Sequence, residues 1–232
     1  MHQPPLPHFL IIGAMKSGTT TLYRDLLTHP RVFMPVEKEP NNLASDEVLT
    51  DAGTAAYREL FRDARPEQCC GEASTAYTKI PWIEGVPQRA MRLLGPALKL
   101  IYIVREPVSR AVSHYHHQFA RGAEPRNMDF AFRRNSELID FSCYAMQLEP
   151  WLATFGRDSV KVVCFEQYIA DRAAGAADVL AFLGLDPAQH QVAADRVYHA
   201  TRAYPVLTDP WKCVTHHWLY QRYVRPRLSR GV

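Results

Sequence analysis

Short runs of apolar residues alternate along the chain with longer stretches in which apolar residues recur every three or four positions. The short runs are typical of buried parallel strands; they occupy residues 9–12, 68–71, 98–104 and 160–164. The longer stretches predict helices; they occupy residues 19–27, 54–61, 87–94, 107–121, 141–155 and 171–183, and a last helix is expected to begin at Pro210. This alternation predicts an α/β domain built on a mainly parallel sheet.

Three long segments show neither pattern and are expected to form irregular loops. They span residues 34–50, 122–135 and 186–208. Because ligand-binding loops of a parallel sheet gather at the carboxyl ends of its strands, these segments are candidates for covering a substrate and a cofactor. No repeat, low-complexity tract or linker divides the chain, so residues 1–232 are expected to form a single domain.

Composition and charge limit the kinds of partner. With 232 residues, of which 47% are hydrophobic, the chain can bury a sizeable core. Its net charge of +3 is too small to favour a dedicated nucleic-acid binder. The sequence shows neither a secretory signal nor an apolar stretch of the roughly twenty residues that a membrane span needs. We therefore expect a soluble, cytoplasmic protein that has no nucleic acid and no membrane as partner.

A glycine-bracketed loop directly follows the first predicted strand. Residues 13–20 are Gly-Ala-Met-Lys-Ser-Gly-Thr-Thr and lead into the first predicted helix. Such a loop forms a cradle for phosphate, because backbone N–H groups and the positive end of the helix point to one place. The two glycines have the spacing of the phosphate loop of nucleotide hydrolases, but Thr19 stands where those have lysine, and the lysine is Lys16, inside the loop. The loop therefore predicts a phosphate site whose chemistry differs from ATP or GTP hydrolysis.

A second candidate phosphate site follows the apolar run at residues 98–104. That strand ends in Arg105 and not in the aspartate that helps many hydrolases to hold magnesium. Pro107 suits the first turn of the next helix, and Ser113 follows about two turns into it. An arginine at the carboxyl end of a central strand, with a serine nearby, predicts binding of a second phosphate group.

The two motifs, in this order and at this separation, resemble those of the sulfotransferases that use 3′-phosphoadenosine 5′-phosphosulfate (PAPS), in particular the bacterial and heparan-type branch. The similarity extends through residues 37–40, 71–77 and 160–166 and covers most of the chain from Phe9 to about Pro205. It implies a nucleotide-kinase-like core, PAPS as the sulfuryl donor and no metal. It further implies that Lys16 assists catalysis and that the donor is bound by Lys16, Ser17, Gly18, Thr19, Thr20, Arg105 and Ser113, with Arg202 closing over the nucleotide.

The resemblance also implies a general base at Glu39, in the segment Glu-Lys-Glu-Pro after the first helix. In the heparan-type branch a glutamate at the matching position deprotonates the acceptor. Glu37, Glu72 and a histidine are the alternatives. The chain departs from that branch at Asn41, where an aromatic or histidine-containing stretch usually begins, and at Ala73, where a lysine is common. Both departures bear on the identity of the acceptor.

The sequence thus predicts an enzyme that moves a sulfuryl group from PAPS to a hydroxyl of a small molecule or carbohydrate, with an amine as the second-ranked acceptor group. One alternative is a P-loop kinase or nucleotide hydrolase with Glu166 as a magnesium-associated carboxylate. The other is a non-catalytic nucleotide-binding protein of the same fold. His114 and His117 lie three residues apart, but no carboxylate or cysteine at ligand spacing completes a metal site, so we expect them on the surface or in the acceptor cleft.

Overall fold

The computed structural model of the chain describes residues 3–124 and 127–192, which fold around one five-stranded sheet. Its strands are β1 (Phe9–Gly13), β2 (Val32–Phe33), β3 (Cys69–Ala73), β4 (Lys99–Val104) and β5 (Val160–Cys164). All neighbouring strands run parallel, in the order β2-β3-β1-β4-β5. The predicted α/β fold with a mainly parallel sheet is confirmed.

Helices connect these strands. Those of the described residues are α1 (Thr19–Leu26), α2 (Asp51–Glu59), α3 (Val86–Leu94), α4 (Pro107–Ala120), α5 (Met128–Arg134), α6 (Glu137–Asp140), α7 (Tyr144–Phe155), α8 (Phe165–Ala170) and α9 (Arg172–Phe182). Side chains cap the N-termini of several helices. The Thr50 side chain accepts a hydrogen bond from the N–H of Gly53 at the start of α2, and the Asp171 side chain accepts one from the N–H of Ala174 at the start of α9. None of the helices in the described ranges is both long and apolar enough to cross a membrane.

The strand order determines where a ligand can bind. β1 is the central strand, with β3 on one side and β4 on the other, and Phe9 lies opposite both Gly71 and Lys99. After β1 the chain leads to β2 and β3 on one side of the sheet and then crosses to β4 and β5 on the other. This reversal opens a crevice at the carboxyl end of β1, the usual ligand position in open parallel sheets.

The core lies on both faces of the sheet, which explains why every residue of β1 is buried. Leu10 and Ile12 pack on one face, in a cluster that includes Tyr57 of α2 and Trp151 of α7. Phe9 and Ile11 pack on the other face, against side chains of α1 and α9. Each fully buried aliphatic or aromatic side chain of this kind contributes about 1.5–3 kcal/mol relative to an exposed one. The two clusters therefore hold the carboxyl end of β1 in place.

The structure differs from the sequence prediction in several connecting elements. The irregular segment predicted at 122–135 contains α5, which begins where the side chain of Asn127 accepts a hydrogen bond from the N–H of Phe130. β2, α6 and α8 were not predicted, and the helix predicted from residue 141 begins only at Tyr144. The helix predicted from Pro210 lies outside the described residues. That a single domain extends over residues 1–232 stays a prediction.

Candidate active site

The loop after β1 leads into the N-terminus of α1 at the carboxyl edge of the sheet. Gly18 directly precedes α1 and has a φ of 91°, which residues with a Cβ rarely adopt. A Cβ at this position would also lie 2.6 Å from the ring of Phe165. The carbonyl of Gly18 accepts the N–H of Thr21 at 3.0 Å. The N–H groups of Thr19 and Thr20 precede this first helical bond, so they are placed to bind an anion.

Lys16 lies inside this loop and is half-buried, with a φ of 67°. Burial lowers the pKa of its ammonium group, and the positive charge of Arg105 lowers it further. The two residues are in contact, since a guanidinium N–H of Arg105 donates to the carbonyl oxygen of Lys16 over 3.3 Å. Neighbouring cations disfavour each other, and an anion bound between them relieves this repulsion. The pair of cations thus suits a phosphate-bearing ligand.

Arg105 follows β4 directly, and its guanidinium lies 5.0 Å from the centre of the Phe165 ring. The Tyr144 hydroxyl fixes its backbone, accepting the Arg105 N–H at 3.2 Å and donating to the Arg105 carbonyl at 2.6 Å. Glu106 does not form an ion pair with Arg105; its carboxylate caps α4 by accepting the N–H groups of Val108 and Ser109. The guanidinium, which carries five N–H donors, therefore retains donors for a phosphate.

Helix α4 carries Ser113, which is buried, and one turn earlier Arg110, which is fully buried. The guanidinium of Arg110 donates to the carbonyl of Leu138, to the hydroxyl of Ser142 and, at 3.5 Å, to the carbonyl of Met15 in the phosphate loop. Arg110 thereby connects the loop to α6 and the turn after it. Sequence reasoning missed this role, because nothing in the local pattern distinguishes Arg110 from a surface arginine.

Glu39 lies beside the phosphate loop, in the segment between β2 and α2. Its N–H donates to the carbonyl of Ala73 at 3.0 Å, which attaches this segment to the end of β3. Its carboxylate accepts hydrogen bonds from the ammonium of Lys38 at 2.9 Å and from the hydroxyl of Thr75 at 3.0 Å. Burial alone would raise the pKa of Glu39, but the charges of Lys38 and Lys79 and these hydrogen bonds hold it below its usual value. The carboxylate is therefore ionised at neutral pH, as a general base has to be.

The two alternative glutamates are less suited to act as the base. Glu72 is buried, and its carboxylate accepts hydrogen bonds from Tyr57 at 3.1 Å, from Ser74 at 2.7 Å and from Tyr77. Burial outweighs these hydrogen bonds and raises the pKa of Glu72 to about 7. Glu37 is exposed. The structure thus favours Glu39, whose carboxylate is ionised, held in place and partly exposed.

His114 is fully buried in α4 and so is not the surface residue that the sequence allowed. Its ring stacks on Phe141 with 5.7 Å between ring centres, and its Nε2 lies 3.3 Å from the amide nitrogen of Gln118. Burial, together with the charges of Arg110 and Lys79, lowers the pKa of His114 to about 3. Its imidazole is therefore neutral at neutral pH. Within residues 3–124 and 127–192, no three His, Cys, Asp or Glu side chains are grouped to hold a metal ion.

The structure brings most of the predicted site residues to one edge of the sheet. Lys16 to Thr20 form the loop and helix start, Arg105 contacts that loop, and α4, which carries Ser113, is tied to it through Arg110. Glu39 borders the same region through Lys38 and Thr19. Arg202 lies outside the described residues. The roles of these residues stay predictions, and their grouping is what the structure adds.

A phosphate loop at the carboxyl end of a central strand, with an arginine after the neighbouring strand, defines an α/β protein of the P-loop-like nucleotide-binding class. Within this class the chain belongs to the sulfotransferase family, because the sulfotransferase domain matches residues 6–212. This confirms the family and the nucleotide-binding core predicted from the sequence.

Individual relatives agree with this family. Heparan sulfate glucosamine 3-O-sulfotransferase 3B1 of the mouse is 30% identical over 213 residues, covering 87% of this chain and 52% of that protein. The human heparan sulfate glucosamine 3-O-sulfotransferase 6 is 29% identical over 211 residues, covering 87% and 58%. The chain thus spans about half the length of these relatives.

Solved structures show the same fold. A sulfotransferase from Alicyclobacillus acidocaldarius superimposes with a TM-score of 0.69 at 29% sequence identity, over 85% of this chain and 89% of that one. The mouse sulfotransferase SULT7A1, solved in complex with PAP, gives a TM-score of 0.54 at 16% identity, over 97% of this chain and 81% of that one. At so low an identity, the second likeness concerns the fold alone.

Proposed function

We propose that the protein transfers a sulfuryl group from PAPS to a hydroxyl of a carbohydrate or small molecule, with an amine as the second-ranked acceptor group. The observation that carries this proposal is that a single ammonium group, that of Lys38, contacts both the candidate base and the residue with which α1 begins. Nζ of Lys38 lies 2.9 Å from Oε1 of Glu39 and 3.4 Å from Oγ1 of Thr19. Sulfuryl transfer needs such proximity, because the acceptor oxygen, the sulfur and the leaving oxygen have to lie in line.

The donors in the crevice suit PAPS. Lys16 and the N-terminus of α1 suit the 5′-phosphosulfate, while Arg105 and Ser113 suit the 3′-phosphate. A nucleotide with phosphate groups at both positions explains why two cations lie close together at this edge of the sheet. When bound, PAPS supplies a sulfuryl group that is already activated by its phosphate leaving group.

In the proposed mechanism, Glu39 takes the proton of the acceptor hydroxyl while the acceptor oxygen forms its bond to sulfur. The bond between sulfur and the 5′-phosphate oxygen breaks, and its electron pair stays on that oxygen. Lys16 and the amides of Thr19 and Thr20 stabilise the charge that gathers there. The partly exposed carboxylate of Glu39 then releases the proton to solvent.

The relatives whose names include heparan sulfate favour a carbohydrate acceptor. Ala73 lies beside the base, since its carbonyl accepts the N–H of Glu39, and its side chain brings no charge there. We therefore propose an acceptor with less negative charge than a highly sulfated polysaccharide.

The kinase alternative gains no support from Glu166, because its carboxylate accepts the backbone N–H of Glu106 at 2.9 Å. A cytoplasmic location, without a nucleic acid or membrane partner, stays part of the proposal.

Thermal melting with nucleotides tests the proposed donor. The desulfated product 3′-phosphoadenosine 5′-phosphate (PAP), at about a hundred times its Kd, should add roughly 2.7 kcal/mol to the free energy of unfolding. ADP lacks the 3′-phosphate and should stabilise less at the same concentration. Equal or larger stabilisation by ATP with magnesium would contradict the proposal and favour a kinase or hydrolase.

A further inference from the structure

Lys38 occupies the space between the phosphate loop and the candidate base. Its side chain is only 18% exposed. Glu39 and Thr19 are its hydrogen-bond acceptors within the described residues, with Nζ 2.9 Å from Oε1 and 3.4 Å from Oγ1. Thr19 is the first residue of α1, so the ammonium group lies at the positive end of a helix.

This position is unfavourable for an ammonium group in the absence of a bound anion. A cation at a helix N-terminus meets the partial positive charge of the amides there. The ion pair with Glu39 offsets part of this repulsion but places only one carboxylate against it. Lys16 and Arg105 already place two cations around the same loop. Three cations around one helix N-terminus suit a ligand with more than one negative group.

We propose that Lys38 is a further catalytic residue, which binds the sulfonate oxygens of the donor and stabilises the sulfuryl group while it passes to the acceptor. The inference rests on the proposed function, and it assigns to Lys38 a place between donor and acceptor. Lys16 would act on the other side of the sulfur, at the leaving oxygen of the 5′-phosphate. β3 contributes no cation here, since it ends at Ala73 beside Glu39.

During sulfuryl transfer, the main hydrogen-bond partner of Lys38 changes from the Glu39 carboxylate to the sulfonate oxygens. Before the reaction, the ionised carboxylate of Glu39 accepts a hydrogen bond from the Lys38 ammonium. As the acceptor oxygen bonds to sulfur, its proton goes to Glu39, and the electron pair of the broken bond goes to the phosphate oxygen. Protonation removes the negative charge that competes for Lys38. The Lys38 ammonium can then bind the sulfonate oxygens more strongly in the transition state than in the ground state.

Binding of PAPS and PAP to lysine variants tests this inference, because PAP lacks only the sulfonate. In titrations without acceptor, Lys38→Met should weaken PAPS by about tenfold, the loss expected for one charged hydrogen bond, and should leave PAP nearly unchanged. Turnover should fall by about a hundredfold to a thousandfold, as when one oriented donor is removed. Lys38→Arg keeps the charge and should restore part of both losses.

Lys161→Met is a matched control, since Lys161 also pairs with a carboxylate, that of Asp178, but on the edge strand β5. It should change neither nucleotide affinity nor turnover. A Lys38→Met variant that weakens PAPS and PAP equally, or neither, would overturn the inference. In a Glu39→Gln background, Lys38→Met should still weaken PAPS; no further effect there would mean that Lys38 only positions Glu39. If the unaltered protein failed to bind PAP, the proposed function itself would be contradicted, which is a separate result.

Discussion

Replacement of Arg105 by alanine should remove recognition of the 3′-phosphate and leave the other nucleotide contacts largely intact. The guanidinium is half-buried, stacks over Phe165 at 5.0 Å and makes one hydrogen bond to the carbonyl of Lys16. Its neighbour Glu106 is engaged in capping α4. These contacts hold the guanidinium at the carboxyl end of β4 and retain N–H donors for the ligand.

The size of the effect follows from this partial burial. Loss of one partner of a buried charged pair costs about 2–5 kcal/mol. Because Arg105 is half-buried, the lower end applies, and about 2 kcal/mol corresponds to about thirtyfold weaker binding of PAP. Arg105→Lys keeps the charge but loses the paired N–H groups and the stacking on Phe165, so its effect should be intermediate.

The assay compares PAP with adenosine 5′-phosphate, which lacks the 3′-phosphate. Both nucleotides are titrated against the unaltered protein, Arg105→Ala and Arg105→Lys at one salt concentration. Adenosine 5′-phosphate should bind all three proteins almost equally. Equal losses for the two nucleotides would refute the reasoning, since Arg105 would then support the loop through Lys16 and not bind the 3′-phosphate.

Two further predictions concern the glutamates. Glu39→Gln should lower turnover by about two to four orders of magnitude and leave PAP affinity nearly unchanged, as initial rates and titrations would show; near-normal turnover would place the base elsewhere. Burial raises the pKa of Glu72 to about 7, from an ordinary value of 4.5. The contribution of Glu72 to the free energy of unfolding is therefore fully present below pH 4.5 and is lost as the pH rises through 7. Between about pH 5 and pH 8, urea unfolding should show a loss of about 3 kcal/mol that Glu72→Gln largely abolishes; an equal loss in that variant would assign the effect to other groups.

The features that could be predicted from the sequence are those whose signal is local. The loop at residues 13–20 lies between an apolar strand and a helix, and Arg105 ends an apolar run, so both follow from neighbouring residues. β2 has two residues and exists through its pairing with β3, so no periodicity could indicate it. α8 lasts six residues, too few for a clear helical period.

The contacts around the site required the structure, because they join distant parts of the chain. Arg110 reaches the carbonyl of Met15, and Lys38 reaches the hydroxyl of Thr19. The orientation of the Glu39 side chain depends on the hydrogen bond from its N–H to the carbonyl of Ala73 and on its φ of 63°. Neither backbone conformation nor tertiary contact is encoded in the local pattern of Glu-Lys-Glu-Pro.

Sulfuryl transfer from PAPS tests the central claim most directly. The unaltered protein and Glu39→Gln are incubated with PAPS and a set of hydroxyl-bearing carbohydrates and small molecules, and both sulfated product and released PAP are measured. We predict that the unaltered protein forms one PAP for each sulfated acceptor and that Glu39→Gln forms far less of both. Tight binding of PAP without sulfation of any acceptor, or equal product from the two proteins, would contradict the account.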